Sequence, residues 1–162
     1  MSTRHTHPTI VFGTDHAGYV LKEILKDYLL SLNYPIEDKG TFSAVSVDYP
    51  DYVIPAAEAV AKAHGKKIGV VLGGTGIGEC IAANKVKGIR AADVDDPYTA
   101  ETSRLHNNAN VICFGGRTVT KDPTYAKQLL RIFLETPFSG KERYKRRLKK
   151  VALYESHRQK NK

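Results

Sequence analysis

The fold of this chain is decided by the stretch Leu72-Gly-Gly-Thr-Gly-Ile-Gly-Glu-Cys-Ile-Ala-Ala-Asn-Lys85. It follows the apolar run Lys67-Ile-Gly-Val-Val-Leu72, which is typical of a buried strand, and it leads into a segment that can be helical. A glycine-rich turn between a strand and a helix leaves backbone N–H groups unpaired. Such a turn suits an anion: a phosphate, a carboxylate or an enediolate.

The spacing of this turn excludes the two commonest nucleotide motifs. A P-loop needs Gly, four residues and then Gly-Lys-Ser/Thr, and the chain has no such run. In a Gly-x-Gly-x-x-Gly fingerprint the third glycine position falls on Glu79 or on Ile81. No nucleotide motif therefore explains why an acid, Glu79, lies beside a predicted anion-binding turn. The alternative is that Glu79 is only an acid favoured in the first turn of a helix.

Strand and helix signals alternate along the chain. Strands are predicted at 9–14, 35–38, 67–72, 88–94 and 110–114, and helices at 20–32, 52–64, 96–108, 122–135 and from 139 onward. Ser139 and Glu142 form a predicted capping box for the last helix. This alternation predicts a Rossmann-like three-layer α/β/α sandwich around a five-stranded parallel sheet, with an extra C-terminal helix.

The predicted organisation is one domain with polar ends. We expect a flexible N-terminus at 1–8, an α/β domain at 9–138, an amphipathic basic helix at 139–157 and a disordered basic tail at 158–162. From Ser139 onward the chain has ten Lys/Arg and two acids, so the net charge of +8 resides there and the remainder is neutral. The Lys141 to Lys150 run is either a solvated basic face, a phosphate-binding surface or a nucleic-acid footprint, but few aromatics and no reader motif accompany it.

Bulk properties point to a cytoplasmic protein. No run approaches the ~20 apolar residues of a membrane helix, and the N-terminus does not resemble a signal peptide. Cys80 and Cys113 form no Cys-x-x-Cys pair, so neither a disulfide framework nor a zinc site is expected. Cys113 lies in an apolar strand and is expected in the core.

Polar residues follow several of the predicted strands. In a parallel sheet the ligand lies beyond the carboxyl ends of the strands, and an acid, a histidine, the glycine turn and an arginine fall there. The candidates are Asp15-His16, Gly73 to Glu79, Asp95-Asp96 and Gly115-Gly-Arg117. This combination predicts a phosphorylated small molecule handled by acid–base chemistry.

Seven separated motifs, in order, resemble ribose-5-phosphate isomerases of type B and their relatives acting on allose 6-phosphate and galactose 6-phosphate. They are Gly13-Thr-Asp-His-Ala-Gly18, Asp48-Tyr-Pro50, Gly73 to Glu79, Ala82-Ala-Asn-Lys85, Ser103-Arg-Leu-His-Asn-Asn-Ala-Asn110, Gly115-Gly-Arg117 and Thr136-Pro-Phe-Ser-Gly140 through Arg147. The resemblance covers about residues 9 to 155. It implies interconversion of ribose 5-phosphate and ribulose 5-phosphate through an enediolate, without metal or cofactor.

The resemblance also implies the catalytic groups. Many relatives carry a cysteine base at the position of Gly73, whereas another branch has glycine there and a glutamate at the position of Glu79. We therefore expect Glu79 to be the C2 base, with Cys80 as its rival unless that thiol is simply buried. His106 resembles the ring-opening acid–base group, with Asn107 beside it, although a histidine at a helix terminus is also favoured by the dipole.

The resemblance further implies a substrate pocket and a phosphate site. Asp15 and His16 are expected to bind the sugar unless they only cap a loop, and Tyr49 to line its site. Backbone groups of the turn are expected to hold the oxyanion, at Gly74, Thr75, Gly76 and Gly78. Arg117, Arg143 and Arg147 are expected to bind phosphate, the last two in the site of a neighbouring subunit, which implies a homodimer or a tetramer.

Tyr144 departs from the family pattern, which often has histidine at this position. Tyrosine can donate a hydrogen bond but has no charge at neutral pH, so the sequence does not predict the phosphate affinity or the preferred sugar length. His5, His7, His64 and His157 are expected to be solvated. A six-carbon sugar phosphate remains an alternative substrate, although galactose 6-phosphate enzymes work as two different chains. A nucleotide-binding protein is the alternative from another class.

Overall fold

The computed structural model describes residues 7–160, with side chains through His157. The described part contains five strands, six α-helices and a 3₁₀ turn at Val119–Lys121. The strands are β1 Thr9–Thr14, β2 Ile36–Asp38, β3 Lys67–Gly73, β4 Ala91–Asp93 and β5 Val111–Gly115. The helices are α1 Tyr19–Ser31, α2 Pro50–Ala61, α3 Ile77–Ala83, α4 Pro97–Leu105, α5 Pro123–Glu135 and α6 Glu142–Lys160. None of these helices is long and apolar enough to cross a membrane.

The five strands form one parallel sheet in the order β2-β1-β3-β5-β4. The chain builds the sheet outward from β1, first to β2 on one side and then to β3 on the other. The strand order therefore reverses between β1 and β3, and in open α/β sheets the crevice at such a reversal binds ligands. The carboxyl end of β1 leads into Asp15, and the carboxyl end of β3 leads into the glycine turn.

Alternate residues of the strands point to two separate cores. On one face Ile10, Val70 and Ile112 pack against α1, α4 and α5. On the other face Val11, Val71 and Val111 pack against α2 and α3, together with the fully buried Cys113. The predicted three-layer sandwich and the core position of Cys113 are confirmed, since a sheet that is apolar on both faces must be covered on both.

Strand β4 is shorter than the predicted 88–94 because side chains replace part of its ladder. The amide of Asn110 accepts a bond from the N–H of Arg90 at 2.8 Å and donates to the carbonyl of Gly88 at 2.9 Å. The amide of Asn84 bonds the N–H and the carbonyl of Ala91 in the same way, at 2.9 and 3.0 Å. Only three residues are left with strand pairing.

Helix ends differ from the predictions by a few residues. Helix α2 begins at Pro50 rather than 52 and ends at Ala61, because a turn through Gly65, at φ +86°, closes it early. Helix α4 ends at Leu105 rather than 108, since Asn108 lies at φ +46°. The expected Asp96 cap is confirmed, with its carboxylate accepting the N–H of Thr99 at 2.8 Å.

The predicted capping box of α6 is wrong. The helix begins at Glu142, so Ser139 is not its N-cap, and the Ser139 hydroxyl lies 3.5 Å from the N–H of Lys141. The helix continues through residues 158–160, beyond the predicted end at 157. The predictions for residues 1–6, including His5, and for residues 161–162 fall outside the described part of the chain.

Candidate active site

Glu79 lies in the first turn of α3 and points back over the end of β3. Gly76 reverses the chain at φ +82°, a conformation that favours glycine, and α3 starts directly after it. The carboxylate of Glu79 consequently lies against Gly73, where a Cβ atom would be 2.6 Å from Oε2 and would overlap Oε1. Only 3% of Glu79 is exposed. The acid is thus a buried group at the floor of the turn, not a solvated residue of a helix start.

The surroundings of Glu79 raise its pKa above the ordinary glutamate value. Burial is the largest cause, and the negative charges of Asp15 and Asp93 act in the same direction. The backbone N–H groups of Glu79 and Gly76 donate to the carboxylate and offset part of this rise. The N–H of Gly76, expected on the oxyanion, therefore faces Glu79 here. A buried carboxylate with a raised pKa is a stronger base than a solvated one.

Asp15 and His16 line the same crevice from the end of β1. Oδ1 of Asp15 accepts the N–H groups of Ala17 and Gly18 at 2.8 and 3.2 Å, which fixes a carboxyl group that is only 8% exposed. Nδ1 of His16 accepts the N–H of Val47 at 3.3 Å. Asp15 therefore does cap its loop, and these hydrogen bonds hold its carboxylate beside Glu79.

Tyr49 and the backbone of the turn form another wall. The Tyr49 ring lies against Gly78, where a Cβ atom would be 3.0 Å from Cζ. Any larger residue at position 78 would displace the ring. Thr75 is exposed at the mouth of the turn, and its hydroxyl accepts the N–H of Ile77 at 3.3 Å. Asp15, His16, Tyr49 and Thr75, which are expected to contact the sugar, thus surround one opening.

Arg117 reaches this opening from the end of β5. The N–H of Gly116 donates to the carbonyl of Gly73 at 2.7 Å, and the N–H of Arg117 donates to the carbonyl of Gly74 at 2.9 Å. These bonds join the turns that follow β3 and β5. The Arg117 side chain passes over Gly74, with Nη1 3.6 Å from the position of a Cβ there, and it is exposed. It is placed to pair with an anion in the crevice.

Cys80 is half-buried behind Glu79. A hydrogen bond with Cys113 is the main cause that lowers the pKa of Cys80, while its burial opposes this effect. Burial raises the pKa of Cys113 well above its usual range. Because Cys80 packs with the core on the α2 and α3 face, it lies behind the crevice, whereas the Glu79 carboxylate lies at the crevice floor over Gly73.

A fully buried lysine, which the sequence analysis missed, supports the wall that carries His16 and Tyr49. Nζ of Lys22 donates to both carboxylate oxygens of Asp38, at 3.0 and 2.8 Å, and to the carbonyl of Thr41 at 2.7 Å. Burial acts to raise the pKa of Asp38, but bonds from Lys22, the Gly40 N–H and Lys26 outweigh it and lower that pKa. This network fixes the start of the 41–48 loop.

His106 and Asn107 do not lie in the crevice of the same chain. Helix α4 returns from the carboxyl edge of the sheet to the amino edge, and His106 ends it five residues before β5 begins. The N–H of Asn110 bonds the carbonyl of Arg90, just before β4, which fixes this segment at the amino edge. A strand as long as β3 spans roughly 20 Å, so Glu79 and His106 are separated by about that distance.

Arg143 and Arg147 accompany His106 at the amino edge. The N–H of Ser139 donates to the carbonyl of Leu105 at 3.1 Å, which brings the start of α6 to the end of α4. Both guanidinium groups flank the Tyr144 ring, with Cζ atoms 4.6 and 5.9 Å from its centroid. One chain therefore presents two groups of predicted site residues, one at each edge of the sheet.

One sequence expectation about the carboxyl edge, the placement of Asp95 and Asp96 at the site, needs correction. The acid that faces Glu79 from the end of β4 is Asp93, whereas Asp96 caps α4 and its neighbour Asp95 is exposed. Asp93 falls inside the predicted 88–94 strand, and the shortening of β4 brings it to the edge. In the described part of the chain, no three His, Cys, Asp or Glu side chains form a possible metal site.

Comparison with known proteins agrees with this architecture. Residues 10–151 match the family described as Ribose/Galactose Isomerase. Ribose-5-phosphate isomerase B of Escherichia coli is 38% identical over 151 residues, which is 92% of this chain and 97% of that protein. The structure of ribose-5-phosphate isomerase B from Clostridium thermocellum superposes with a TM-score of 0.87 at 40% identity, covering 92% of this chain and 98% of that chain.

A further solved structure contains a ligand. It is ribose-5-phosphate isomerase B from Mycoplasma genitalium with bound ribulose 5-phosphate, at 37% identity and a TM-score of 0.88. The match covers 94% of this chain and 99% of that chain. The likeness thus extends over almost the entire length of both proteins.

Proposed function

The chain belongs to the ribose/galactose isomerase family, and on that premise we propose that it interconverts D-ribose 5-phosphate and D-ribulose 5-phosphate without a cofactor. The crevice between β1 and β3 supports this proposal, because it combines a buried base, backbone donors and an exposed arginine. The observation that carries it is the Glu79 carboxylate, which is buried, raised in pKa and located at the floor of the glycine turn.

In the proposed reaction Glu79 removes the proton from C2 of the open-chain aldose. The electron pair forms the C1–C2 double bond of an enediolate, and negative charge develops on O1. Backbone N–H groups of the turn at Gly74, Thr75 and Gly78 face that charge, where one preorganised donor is typically worth ~3–4 kcal/mol. Glu79 then returns the proton to C1, O2 loses its proton and O1 gains one, which gives the 2-ketose.

Ring opening comes before this step in the aldose-to-ketose direction. A base takes the proton of the C1 hydroxyl, an acid protonates the ring oxygen, and the bond between C1 and that oxygen breaks. His106 is proposed for this proton transfer, with Asn107 binding the sugar beside it. Asp15 and His16 bind hydroxyl groups, and Tyr49 covers the sugar.

Because Glu79 and His106 are far apart in one chain, we propose that residues of two chains together form each active site. In a two-fold symmetric dimer, the amino edge of one chain can face the carboxyl edge of its partner, and the arrangement then repeats for the second site. His106, Asn107, Arg143 and Arg147 of one chain would complete the crevice of the other. The phosphate group would then lie between Arg117 of one chain and the α6 arginines of the other. Guanidinium groups suit this role because they form bidentate hydrogen bonds with phosphate.

The first test is turnover of ribose 5-phosphate in the presence of a chelator. We expect ribulose 5-phosphate formation by the native chain, faster than turnover of allose 6-phosphate. Glu79→Gln should lower kcat by roughly 10²–10⁴-fold, because it removes the proton-transfer group but keeps the shape of the side chain. A native chain without turnover of ribose 5-phosphate would overturn the proposed function. Full activity in Glu79→Gln would instead direct attention to Cys80.

The second test asks whether two chains share each site. Glu79→Gln and His106→Asn should each be nearly inactive alone. Co-expressed, they should regain about a quarter of the native activity, because half of randomly assembled dimers are mixed and each mixed dimer holds one intact site. As a control, Glu79→Gln co-expressed with Asp15→Asn should not regain activity, since both groups belong to the same crevice. Equal recovery in both mixtures would contradict the shared site.

A further inference from the structure

Tyr144 has surroundings unlike those of the rest of α6. Among the described side chains of this helix it alone is buried, with 5% of its surface exposed. Farther along, Val151 and Tyr154 are 62% and 67% exposed. The N–H of Tyr144 donates to the carbonyl of Lys141 at 2.9 Å, which places the residue in the first turn. The first turn, not the whole helix, is therefore fixed to the body of the chain.

The surface that buries Tyr144 includes His106. The two rings stack with their centroids 4.4 Å apart and their planes at 20°. Tyr144 covers one face of the imidazole, and part of His106 stays exposed. A stacked aromatic partner limits tilting of the imidazole and defines the plane in which its nitrogen atoms lie.

The same tyrosine also contacts both arginines of the helix. Its hydroxyl accepts a hydrogen bond from Nη2 of Arg143. The guanidinium carbons of Arg143 and Arg147 lie 4.6 and 5.9 Å from the ring centroid, within the range of cation–π contacts. One side chain thus touches the proposed ring-opening group and both proposed phosphate ligands.

We propose that Tyr144 is a positioning residue that holds His106 and Arg143 in a fixed geometry for the sugar ring and its phosphate. This inference rests on the proposed function. Its two contacts have separate consequences: the ring orients His106, and the hydroxyl orients Arg143. A histidine at this position, as in many relatives, would keep a flat ring but would not place a phenolic oxygen against Arg143.

Three variants separate the two contacts. Tyr144→Phe keeps the stack and removes the hydroxyl, so KM for ribose 5-phosphate should rise roughly tenfold while kcat changes by less than about twofold. Tyr144→Leu fills similar apolar volume without a flat ring, so kcat should fall roughly 10- to 100-fold, as expected for a misplaced catalytic group. Tyr144→His should recover most of the kcat lost in the leucine variant and retain the raised KM.

A residue that only anchors α6 would not produce this division between KM and kcat. Tyr98→Leu is the matched control, because Tyr98 is 72% exposed on the helix that ends at His106. The control should leave both constants unchanged. Thermal unfolding and the oligomeric state of every variant show whether the leucine substitution disturbs folding. If it does, the phenylalanine and histidine variants still test the proposal, because both should combine a raised KM with a nearly native kcat.

NMR of the His106 ring protons provides a measurement that does not depend on turnover. The native chain, Tyr144→Phe and Tyr144→His should show the displaced shifts of a stacked imidazole, and Tyr144→Leu should lose them. Native kinetic constants in Tyr144→Leu, with the stack lost, would overturn the positioning role while the proposed function stands. A native chain without isomerase activity would overturn the proposed function, even where the shifts demonstrate the stack.

Discussion

The carboxylate of Glu79 occupies the space that a side chain on Gly73 would need. A Cβ atom at position 73 would overlap Oε1 and lie 2.6 Å from Oε2. The two positions are therefore mutually exclusive: this floor of the crevice accepts a side chain from β3 or a carboxylate from α3, but not both. The expectation drawn from the resemblance, a base either at position 73 or at position 79, is consistent with this steric exclusion.

Gly73→Ala should lower activity as strongly as loss of the base itself. The new methyl group would push the Glu79 carboxylate out of the crevice floor, and a displacement of about 1 Å can cost roughly 10²-fold. Steady-state kinetics with ribose 5-phosphate measure the effect. Circular dichroism and thermal unfolding should show a folded protein, because the displaced atoms are a side-chain end. Native activity in Gly73→Ala would contradict the overlap.

The double substitution Gly73→Cys with Glu79→Ala should regain part of the activity that Glu79→Ala loses. The alanine empties the crevice floor, and a thiolate from β3 can then approach the same carbon. Iodoacetamide should inactivate the double variant and leave the native enzyme active, since Cys113 is fully buried and Cys80 packs against the core. A double variant no faster than Glu79→Ala would show that the space alone does not define the base.

Activity should fall on the acidic side with a midpoint above the ordinary glutamate pKa of about 4.3. The proposed base Glu79 can accept a proton only when it is deprotonated, and burial first, then Asp15 and Asp93, raise its pKa. Asp93→Asn removes one of these charges, so the acidic limb of kcat/KM should move to lower pH. Asp95→Asn is the control, because Asp95 is not among the main causes of the Glu79 shift. An unmoved limb in Asp93→Asn would contradict the assignment.

Hydrogen exchange should distinguish the C2 base from the ring-opening group. Ribulose 5-phosphate is an open chain, so exchange of its C1 proton with D₂O requires the enediolate but no ring closure. His106→Asn should therefore retain C1 exchange, seen by NMR, while net formation of ribose 5-phosphate falls by roughly 10²-fold or more. Glu79→Gln should lose both processes. Equal loss of both in His106→Asn would place His106 in the enediolate step instead.

Lys22→Met should destabilise the chain by about 3–5 kcal/mol, the usual effect of leaving a buried charge without its partner. Lys26→Met is the matched control, because the Lys26 side chain is 22% exposed and also contacts Asp38 and Glu23. That change should cost less than about 1 kcal/mol. Urea unfolding gives both values. A cost for Lys22→Met no larger than the control would contradict a structural role for the buried network.

The same network makes native stability depend on acid. Asp38 has a lowered pKa in the folded chain, so its contribution is present above the unfolded value of about 3.9 and is lost as the pH falls through the folded value. This loss should be absent in Asp38→Asn, which supplies the comparison for unfolding between pH 6 and the acid range. If the unfolding free energies of the native chain and of Asp38→Asn fall in parallel as the pH decreases, Asp38 is not the group responsible for the loss of stability in acid.

Local signals in the sequence predicted most elements because the responsible interactions lie within a few residues. Strand β1 contains the apolar run Ile10 to Phe12, and α5 has Asp122 as its cap followed by Pro123. The predicted β4 is too long because the Asn110 side-chain amide, from another segment, bonds the backbone of Gly88 and Arg90 in place of a strand ladder. Such contacts leave no periodic pattern in the strand itself.

The residues of the site could be nominated from motifs, but their arrangement could not. Gly76 adopts a left-handed backbone conformation, and this turn places Glu79 against Gly73. A glycine-rich sequence allows many backbone conformations, so the sequence alone does not predict this one. The burial of Lys22 depends on Asp38 and Thr41, which arrive later in the chain. The stack of Tyr144 on His106 depends on where α6 begins. The start of α6 is predicted wrongly, because the prediction relies on a capping box that does not form.

The placement of Glu79 and His106 at opposite edges of the sheet has an evolutionary consequence. In the proposed dimer, every copy would carry one group for each of two different sites, so damage to either group would inactivate only one site of a mixed pair. After a gene duplication, one copy could lose the Glu79 side and the other the His106 side, and a mixed pair would still hold one complete site. The proposed two-chain site therefore permits descendants in which neither chain is active alone and both genes must be inherited together.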